Sequence, residues 1–193
     1  MADKKTVRDE APPPHDEGQF VAVCCDVIDL GLNLETFQGK AEIKDKTALV
    51  FLTVSEDGAT VRQIAQEFST SMGKKSNMRK FLEAWRGKPY TEDEVRKQGI
   101  PLDLLEGVGC MLNVAHKTSA KGHLYAFINS VSPLPKVLKD TTPSLKDYKR
   151  NDFWEKKKAE YAASVTAAGG KVPTGVSTQE GDMPEPTDDN LPF

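Results

Sequence analysis

The chain has 193 residues, of which 38% are hydrophobic and 28% charged, and its formal net charge is −3 at neutral pH. This length suits one domain with its own core plus flexible ends, and no stretch is apolar over the length that a membrane span needs. The N-terminus lacks the apolar run of a signal peptide, so we expect a cytoplasmic protein with no membrane partner.

The charge is distributed unevenly along the chain. Residues 136–171 carry nine basic and five acidic residues, whereas residues 172–193 carry five acidic residues and no Lys or Arg. Together with Pro12–Pro14, this pattern predicts a disordered lead over 1–18, a folded domain over 19–135, a basic neck over 136–170 and a disordered acidic tail over 171–193. Separate basic and acidic segments favour a protein that binds a polyanion.

Three strands are predicted first. Residues 20–30 (FVAVCCDVIDL) are dense in β-branched and apolar residues and predict a long, curved strand. Residues 46–54 (KTALVFLTV) predict the second, and residues 60–71, with Ile64 and Phe68 on one side, the third. Gly31 and residues 33–39 are expected to end the first strand, so residues 31–45 are predicted to be a loop.

Helical patterns follow, and two further strands close the domain. Ser76 is predicted to cap a helix that ends at Gly87, and Thr91 with Glu94 forms a capping box for a second short helix. One further turn is predicted at 101–106, and strands at 109–116 and 123–131 are joined by a hairpin loop at 117–122. The first helix is expected to bury the stripe Met78, Phe81, Leu82 and Trp85.

The order of elements is that of the OB-fold, a five-stranded Greek-key barrel with its helices between strands three and four. We therefore expect a mainly β domain of this class, although other mixed α+β folds share the order. In an OB-fold, ligands contact strands two and three, the loop after strand one and the loop between strands four and five.

The candidate nucleic-acid contacts are basic residues interleaved with aromatic ones. Residues 73–90 hold six basic side chains and one acid. Cations that neutralise phosphates release counterions, and exposed rings stack on bases. A solvated helix face is the alternative explanation for the basic residues of the helix. The predicted DNA contacts are Phe37, Lys40, Lys44, Lys74, Lys75, Arg79, Lys80, Lys117, Lys121 and Tyr125.

The sequence contains no recognisable catalytic or metal-binding pattern. The three cysteines include no C-x-x-C pair and are expected to be buried, reduced thiols. His116 and His123 lie on the predicted hairpin without further metal ligands. We expect no catalytic activity, no metal and no cofactor.

The chain ends in the sequence DDNLPF. This ending resembles the acidic C-terminal tip of bacterial single-stranded DNA-binding proteins, in which acidic residues run into Ile-Pro-Phe. A Phe ring beside a terminal carboxylate is a compact ligand for an apolar pocket with a basic rim. The resemblance implies that replication or recombination proteins bind the residues Asp188, Asp189, Leu191, Pro192 and Phe193.

The segments KSNMRKFLEAWRGKPYTEDE, LLEGVGCMLNVAH and YAFINSVSPLPK resemble a family of phage-encoded proteins of about this length. Its members are usually regarded as OB-fold single-stranded DNA-binding proteins or replication accessories. The resemblance implies binding of single-stranded DNA, largely without sequence specificity, in the cytoplasm of a bacterial host.

Two other functions remain open from the sequence. One is a non-catalytic replication adaptor whose barrel binds protein or RNA, and the other is an accessory subunit of a nuclease or recombinase. A helix is also predicted over residues 151–168, within the basic neck. Packing on the barrel, extension of the DNA path and self-association into a homo-oligomer are all compatible with it.

Overall fold

The structure, a computed structural model, describes residues 13–37, 40–54 and 61–169. These residues form five strands, two α-helices and three short helical turns. In chain order they are β1 (Gly18–Phe37), β2 (Lys40–Val54), β3 (Val61–Ser69), α1 (Asn77–Arg86), a π-helical turn (Glu94–Gln98), a 3-10 turn (Leu102–Leu105), β4 (Gly109–Thr118), β5 (Leu124–Pro133), a 3-10 turn (Lys136–Thr141) and α2 (Phe153–Ala167).

The strands form one antiparallel sheet in the order β3-β2-β1-β4-β5. β1 pairs with β2 from Ala22 to Phe37 and with β4 from Gly18 to Val23, so this long strand joins both halves of the sheet. The expectation of a mainly β domain is confirmed, and the arrangement is consistent with an OB-like barrel. The sheet is not closed: in the described ranges β3 and β5 have residues in contact, but no strand ladder joins them.

The predicted loop over residues 31–45 is wrong. β1 continues to Phe37 and β2 begins at Lys40, so the two strands form a long hairpin. Gly31 does not end the strand: it lies at a register shift with φ +73°. Its N–H donates to Asp29 Oδ1 at 2.8 Å. A glycine with positive φ is a usual component of a β-bulge, which bends a strand without ending it.

Two hydrophobic clusters lie on opposite faces of the sheet. The inner face packs against α1 and the outer face against α2. Cys24 belongs to the inner cluster and Cys25 to the outer one, as expected for neighbours on a strand. Both are buried free thiols, and burial raises the pKa of Cys25 to about 12 and that of Cys24 further. The thiols are therefore protonated at neutral pH.

The predicted boundaries of α1 are confirmed. Ser76 is the N-cap, and its Oγ accepts a hydrogen bond from the Arg79 N–H at 3.1 Å. Gly87 ends the helix with φ +74° and donates its N–H to the Glu83 carbonyl at 2.9 Å. The left-handed backbone at this position explains why the helix stops at a glycine. Met78, Leu82 and Trp85 are buried, and Phe81 is partly buried against the same cluster.

The predicted capping box is also present. Thr91 N–H donates to Glu94 Oε2 at 2.6 Å, and Glu94 N–H donates to Thr91 Oγ1 at 3.2 Å. These reciprocal bonds satisfy two donors that a helix start otherwise leaves unpaired. The chain then forms a π-helical turn that ends at Gly99.

Part of the predicted N-terminal lead is fixed on the sheet. His15 is buried, and its Nε2 lies 2.6 Å from Thr53 Oγ1 on β2. The His15 carbonyl lies 2.6 Å from Nε2 of His116 on β4. Residues 13–17 are therefore held by the strands that they cross, whereas the sequence predicted disorder as far as residue 18. Residues 1–12 lie outside the described residues, as does the acidic tail from residue 170.

The basic neck packs on the outer face of the sheet. Trp154, at the start of α2, is 7% exposed and belongs to the outer cluster. Lys157 and Tyr161, one and two turns further on, both contact the Glu67 carboxylate of β3. Packing on the folded domain, one of the three roles left open for this helix, is present in the structure as packing on the outer face of the sheet.

A second attachment holds the chain just before α2. Arg150 makes two hydrogen bonds to the Asp26 carboxylate, Nε to Oδ2 at 2.8 Å and Nη2 to Oδ1 at 2.6 Å. The Tyr148 hydroxyl donates to Oδ2 of the same carboxylate at 2.8 Å. Asp26 is 4% exposed, so these donors compensate a carboxylate that is removed from water. The folded unit therefore extends well past the predicted boundary at residue 135.

Candidate nucleic-acid interface

A cavity of about 930 Å³ opens between the β1–β2 hairpin and the connection from β3 to α1. Lys44 and Lys46 reach it from β2, and Lys74 and Lys75 reach it from the loop before α1. One concave surface is therefore lined by three of the predicted DNA contacts, Lys44, Lys74 and Lys75. They lie up to 31 positions apart in the chain. Their convergence depends on the hairpin, because Lys44 belongs to the strand that was predicted to be a loop.

The cations of this cavity differ in how they are neutralised. Lys44 lies 3.6 Å from Glu35 and 3.4 Å from Glu42, and buried Lys46 also contacts Glu35. The hydrogen bond from Lys46, with the charges of both lysines, lowers the pKa of Glu35 below its ordinary value. The Glu35 carboxylate is therefore ionised at neutral pH, and the hairpin wall of the cavity is a network of paired charges.

On the α1 side of the cavity, the lysines have fewer acidic partners than on the hairpin side. Lys74 lies 3.5 Å from Glu92, and both side chains are well exposed. Lys75 is exposed, and no acidic side chain among the described residues pairs with it. Exposed ion pairs contribute about 0–1 kcal/mol, so a phosphate can replace the carboxylate on Lys74 at little cost. Lys75 is the cation of this cavity that is most available to an anion.

Arg79 is occupied inside the protein. Its guanidinium donates to the carboxylates of Glu83 and Glu92 and to the carbonyls of Met72 and Tyr90, at distances of 2.7–3.3 Å. The side chain is 8% exposed, and the Glu83 hydrogen bond is the main cause of its raised pKa. Arg79 therefore ties α1 to the residues around it, and we leave it out of the proposed contact surface.

Lys80, the next residue on α1, is exposed and has no acidic partner in the described part of the chain. Glu83 lies four residues after Arg79, and residues i and i+4 adjoin on a helix. This spacing is the sequence signal that could have indicated an acidic partner for Arg79.

The β4–β5 hairpin presents a second surface. Lys117 and Tyr125 are cross-strand partners. Lys117 Nζ lies 4.3 Å from the centre of the Phe127 ring. Alternation along the strands puts these three side chains on the face opposite buried Val114 and Ile128. A cation beside an exposed ring suits a phosphate and its base, and Lys121 is exposed in the adjoining turn.

We expect Tyr125→Ala to weaken single-strand binding by about 1–3 kcal/mol, the usual contribution of one stacked base. The ring is 45% exposed, so the melting temperature should change little. Titration with fluorescent oligo-dT and thermal unfolding on the same sample separate these effects. Leu124→Ala, the exposed neighbour whose side chain points the other way, is the matched control. A destabilised Tyr125→Ala protein with unchanged affinity would show that the ring serves packing.

Two more predicted contacts, Lys40 and Phe37, belong to the end of the β1–β2 hairpin. Lys40 is exposed and pairs with Phe37 at the far end of the β1–β2 hairpin, and the Phe37 side chain lies outside the described residues. The predicted partner-binding residues, 188–193, also lie outside them.

The position of α2 on the sheet changes which surfaces are free to bind a ligand, and the sequence did not predict this position. α2 covers the middle of the outer face, where Trp154 packs with Val50 and Ala65 on strands β2 and β3. These are the two strands on which an OB-fold was expected to contact its ligand. The spacing of Trp154, Tyr161 and Val165 is the sequence signal that could have indicated a packed helix face.

No protein-family model matches this chain, and no curated protein has a matching sequence. Within the described ranges, no helix is both long enough and apolar enough to span a bilayer.

Proposed function

We propose that the protein binds single-stranded DNA, largely without sequence specificity, in phage DNA replication or recombination, and that it is not an enzyme. The observation that carries the proposal is the cavity on which Lys44, Lys46, Lys74 and Lys75 converge. We also propose that the sheet is an OB-fold of Greek-key topology, in which the two edge strands β3 and β5 lie in contact without a ladder between them. The strand order and the position of α1 between β3 and β4 support this assignment.

The cavity suits a flexible, charged backbone better than a small molecule. It is wide and open, and its lining combines four lysines with Glu35, Asp45 and Glu67. A single strand can place phosphates at Lys74 and Lys75 and keep them away from the carboxylates, because its backbone is free to bend. The Lys117–Tyr125 surface then supplies a second contact with stacking, as single-strand-binding grooves require.

Replacing Lys74 and Lys75 by alanine tests the cavity. The double variant should bind oligo-dT more weakly, and the slope of log K against log salt should flatten by about 0.7 for each lost phosphate contact. Of the two single variants, Lys75→Ala should weaken binding more than Lys74→Ala, because Lys74 is partly neutralised by Glu92. The measurement is a fluorescence titration at several salt concentrations.

Lys139→Ala is the matched control, since Lys139 is exposed on the 3-10 turn after β5 and does not line the cavity. A double variant that keeps both the wild-type fold and the wild-type salt slope would remove the cavity from the DNA path.

The acidic C-terminal residues are proposed to recruit replication or recombination proteins of a bacterial host or of the phage. We expect them also to be at high effective concentration near the chain's own cations, because they are tethered to the same chain. Ser164 Oγ accepts a hydrogen bond from the Leu34 N–H at 3.2 Å, so the end of α2 lies beside the hairpin that forms one cavity wall. A tethered polyanion whose first acidic residue, Glu180, comes thirteen positions after the end of α2 can compete with DNA phosphates.

Deleting residues 172–193 should therefore tighten oligo-dT binding at low salt and abolish capture of partner enzymes. The gain in affinity should shrink near 0.1 M salt, where charges further apart than about 10 Å are screened. Deleting Phe193 alone should leave the charge competition and remove partner capture, because the ring and the carboxylate position are lost. A truncated protein with unchanged affinity and unchanged partners would show that the tail has neither role.

One observation favours the second candidate, a non-catalytic adaptor that binds protein or RNA. α2 covers the outer face of β1, β2 and β3, which leaves the cavity and the β4–β5 hairpin as the remaining candidate surfaces. Titration with oligo-dT, oligo-U and duplex DNA distinguishes the candidates. Tight, salt-dependent binding of oligo-dT supports the first, and its absence at low salt supports the second.

A further inference from the structure

A second, smaller cavity of about 170 Å³ lies where α2 meets the edge strand β3. The Phe153 and Trp154 rings line it from the helix, and Gln63 and Ala65 line it from the strand. Asn151, just before α2, completes the wall.

Phe153 is exposed although its neighbour is buried. Trp154 points into the outer cluster, and successive residues of a helix point about 100° apart, so Phe153 is turned away from the sheet. Its ring is 52% exposed and meets the Trp154 ring edge to face, with centroids 5.1 Å apart. A large ring held in place on a rigid helix but left half in water is available as a platform for a planar ligand.

Polar groups surround this platform. Gln63 is exposed, and its side chain has no hydrogen-bond partner among the described residues. Asn151 Oδ1 accepts a hydrogen bond from the Phe153 N–H at 2.9 Å, which fixes the amide beside the ring. Lys157 Nζ lies 5.5 Å from the centre of the Phe153 ring. The site thus offers a stacking face and two amides, beside a lysine that is also paired with Glu67.

These groups match one class of ligand. A nucleobase stacks on an aromatic ring and hydrogen-bonds to amides through its edge, and its phosphate is attracted to a nearby ammonium. We propose that Phe153 and Gln63 form a nucleobase-binding subsite for a single strand. This inference rests on the proposed function, because the base is expected to belong to the strand that occupies the larger cavity.

The two cavities lie along the same β-strand, β3. Gln63 lines the small one and Glu67, four residues further along β3, lines the large one. Four residues of a β-strand span about 13 Å. This distance is short compared with the length of a single-stranded DNA of several nucleotides. Lys157 contacts Glu67 and also lies near Phe153, so it stands between the two cavities. α2 covers part of strands β2 and β3, where ligand contacts were expected, and supplies a stacking ring of its own beside β3.

Three variants of Phe153 test the subsite in the full-length protein. Phe153→Ala and Phe153→Leu should each weaken oligo-dT binding by about 5- to 150-fold, the range for one stacked base. Phe153→Tyr keeps the ring and should bind as the wild type does. The leucine variant is the sharper comparison, because it keeps an apolar side chain and removes only the aromatic face. Melting temperatures near that of the wild type are expected for all three.

A strand of abasic nucleotides separates stacking from charge. It presents the same phosphates without bases, so wild type and Phe153→Leu should bind it equally. Trp154 emission should change when oligo-dT binds to the wild type, because the stacked base lies beside that ring, and should stay constant with the abasic strand. Equal oligo-dT binding by wild type and Phe153→Leu would overturn the subsite and leave the proposed function standing. Failure of the wild type to bind oligo-dT at low salt would overturn the proposed function itself.

Discussion

Replacing Arg150 by alanine is expected to lower the free energy of unfolding by about 3 kcal/mol. Asp26 is 4% exposed and receives two hydrogen bonds from Arg150 and one from Tyr148. Without the guanidinium, a buried carboxylate keeps a single donor, and an unpaired buried charge is among the most costly defects in a fold. The expected value is at the low end of the range for such pairs, because the Arg150 side chain is 45% exposed and water can reach part of the site.

Urea denaturation measures this change. Lys149→Ala, at an exposed neighbouring position, should alter stability by less than about 0.5 kcal/mol. A double-mutant cycle with Asp26→Asn isolates the pair: removing both charges should cost less than the sum of the single changes, because no charge is left buried and unpaired. If Arg150→Ala unfolds at the same urea concentration as Lys149→Ala, the ion pair does not hold the segment before α2 on the sheet.

Replacing Trp154 by alanine is expected to cost about 3–5 kcal/mol of stability, as for other buried large aromatic residues. Trp154 is the residue of α2 that packs within the outer cluster, against β1, β2 and β3. Its loss removes the largest apolar contact that joins α2 to the sheet. The released helix is only 15 residues long, a length at which isolated helices are marginal in water. The far-ultraviolet helical signal should therefore fall together with the stability.

Phe153→Ala is the control, because the neighbouring ring is half exposed and should contribute less than about 1 kcal/mol. Comparing the two adjacent aromatic residues also separates stability from DNA affinity: Trp154 is expected to affect the fold, and Phe153 the binding of a strand. A Trp154→Ala protein with wild-type stability and helicity would contradict the view that α2 belongs to the folded unit.

The sequence predicted the elements that depend on near neighbours in the chain. Ser76 and Gly87 bound α1, and Thr91 with Glu94 forms the capping box of the turn that follows it, because caps join groups within four residues of one another. Alternation placed Cys24 and Cys25 on opposite faces for the same local reason. Lys74 and Lys75 were identified as cations beside a helix start, which needs only the local sequence.

Only the tertiary structure decided which distant groups meet. The strand through Gly31 is held by a ladder to residues 40–46, and that pairing outweighs the local preference of glycine for a turn. The same hairpin brings Lys44 to the cavity beside Lys75. The sequence left open whether residues 145–165 pack on the sheet, extend from it or join a second chain. In the structure they pack on the sheet through partners such as Asp26 and Glu67, which lie more than 90 positions away in the chain. Local sequence determines which conformation a segment prefers, whereas burial and charge pairing between remote segments determine which surfaces stay free to bind.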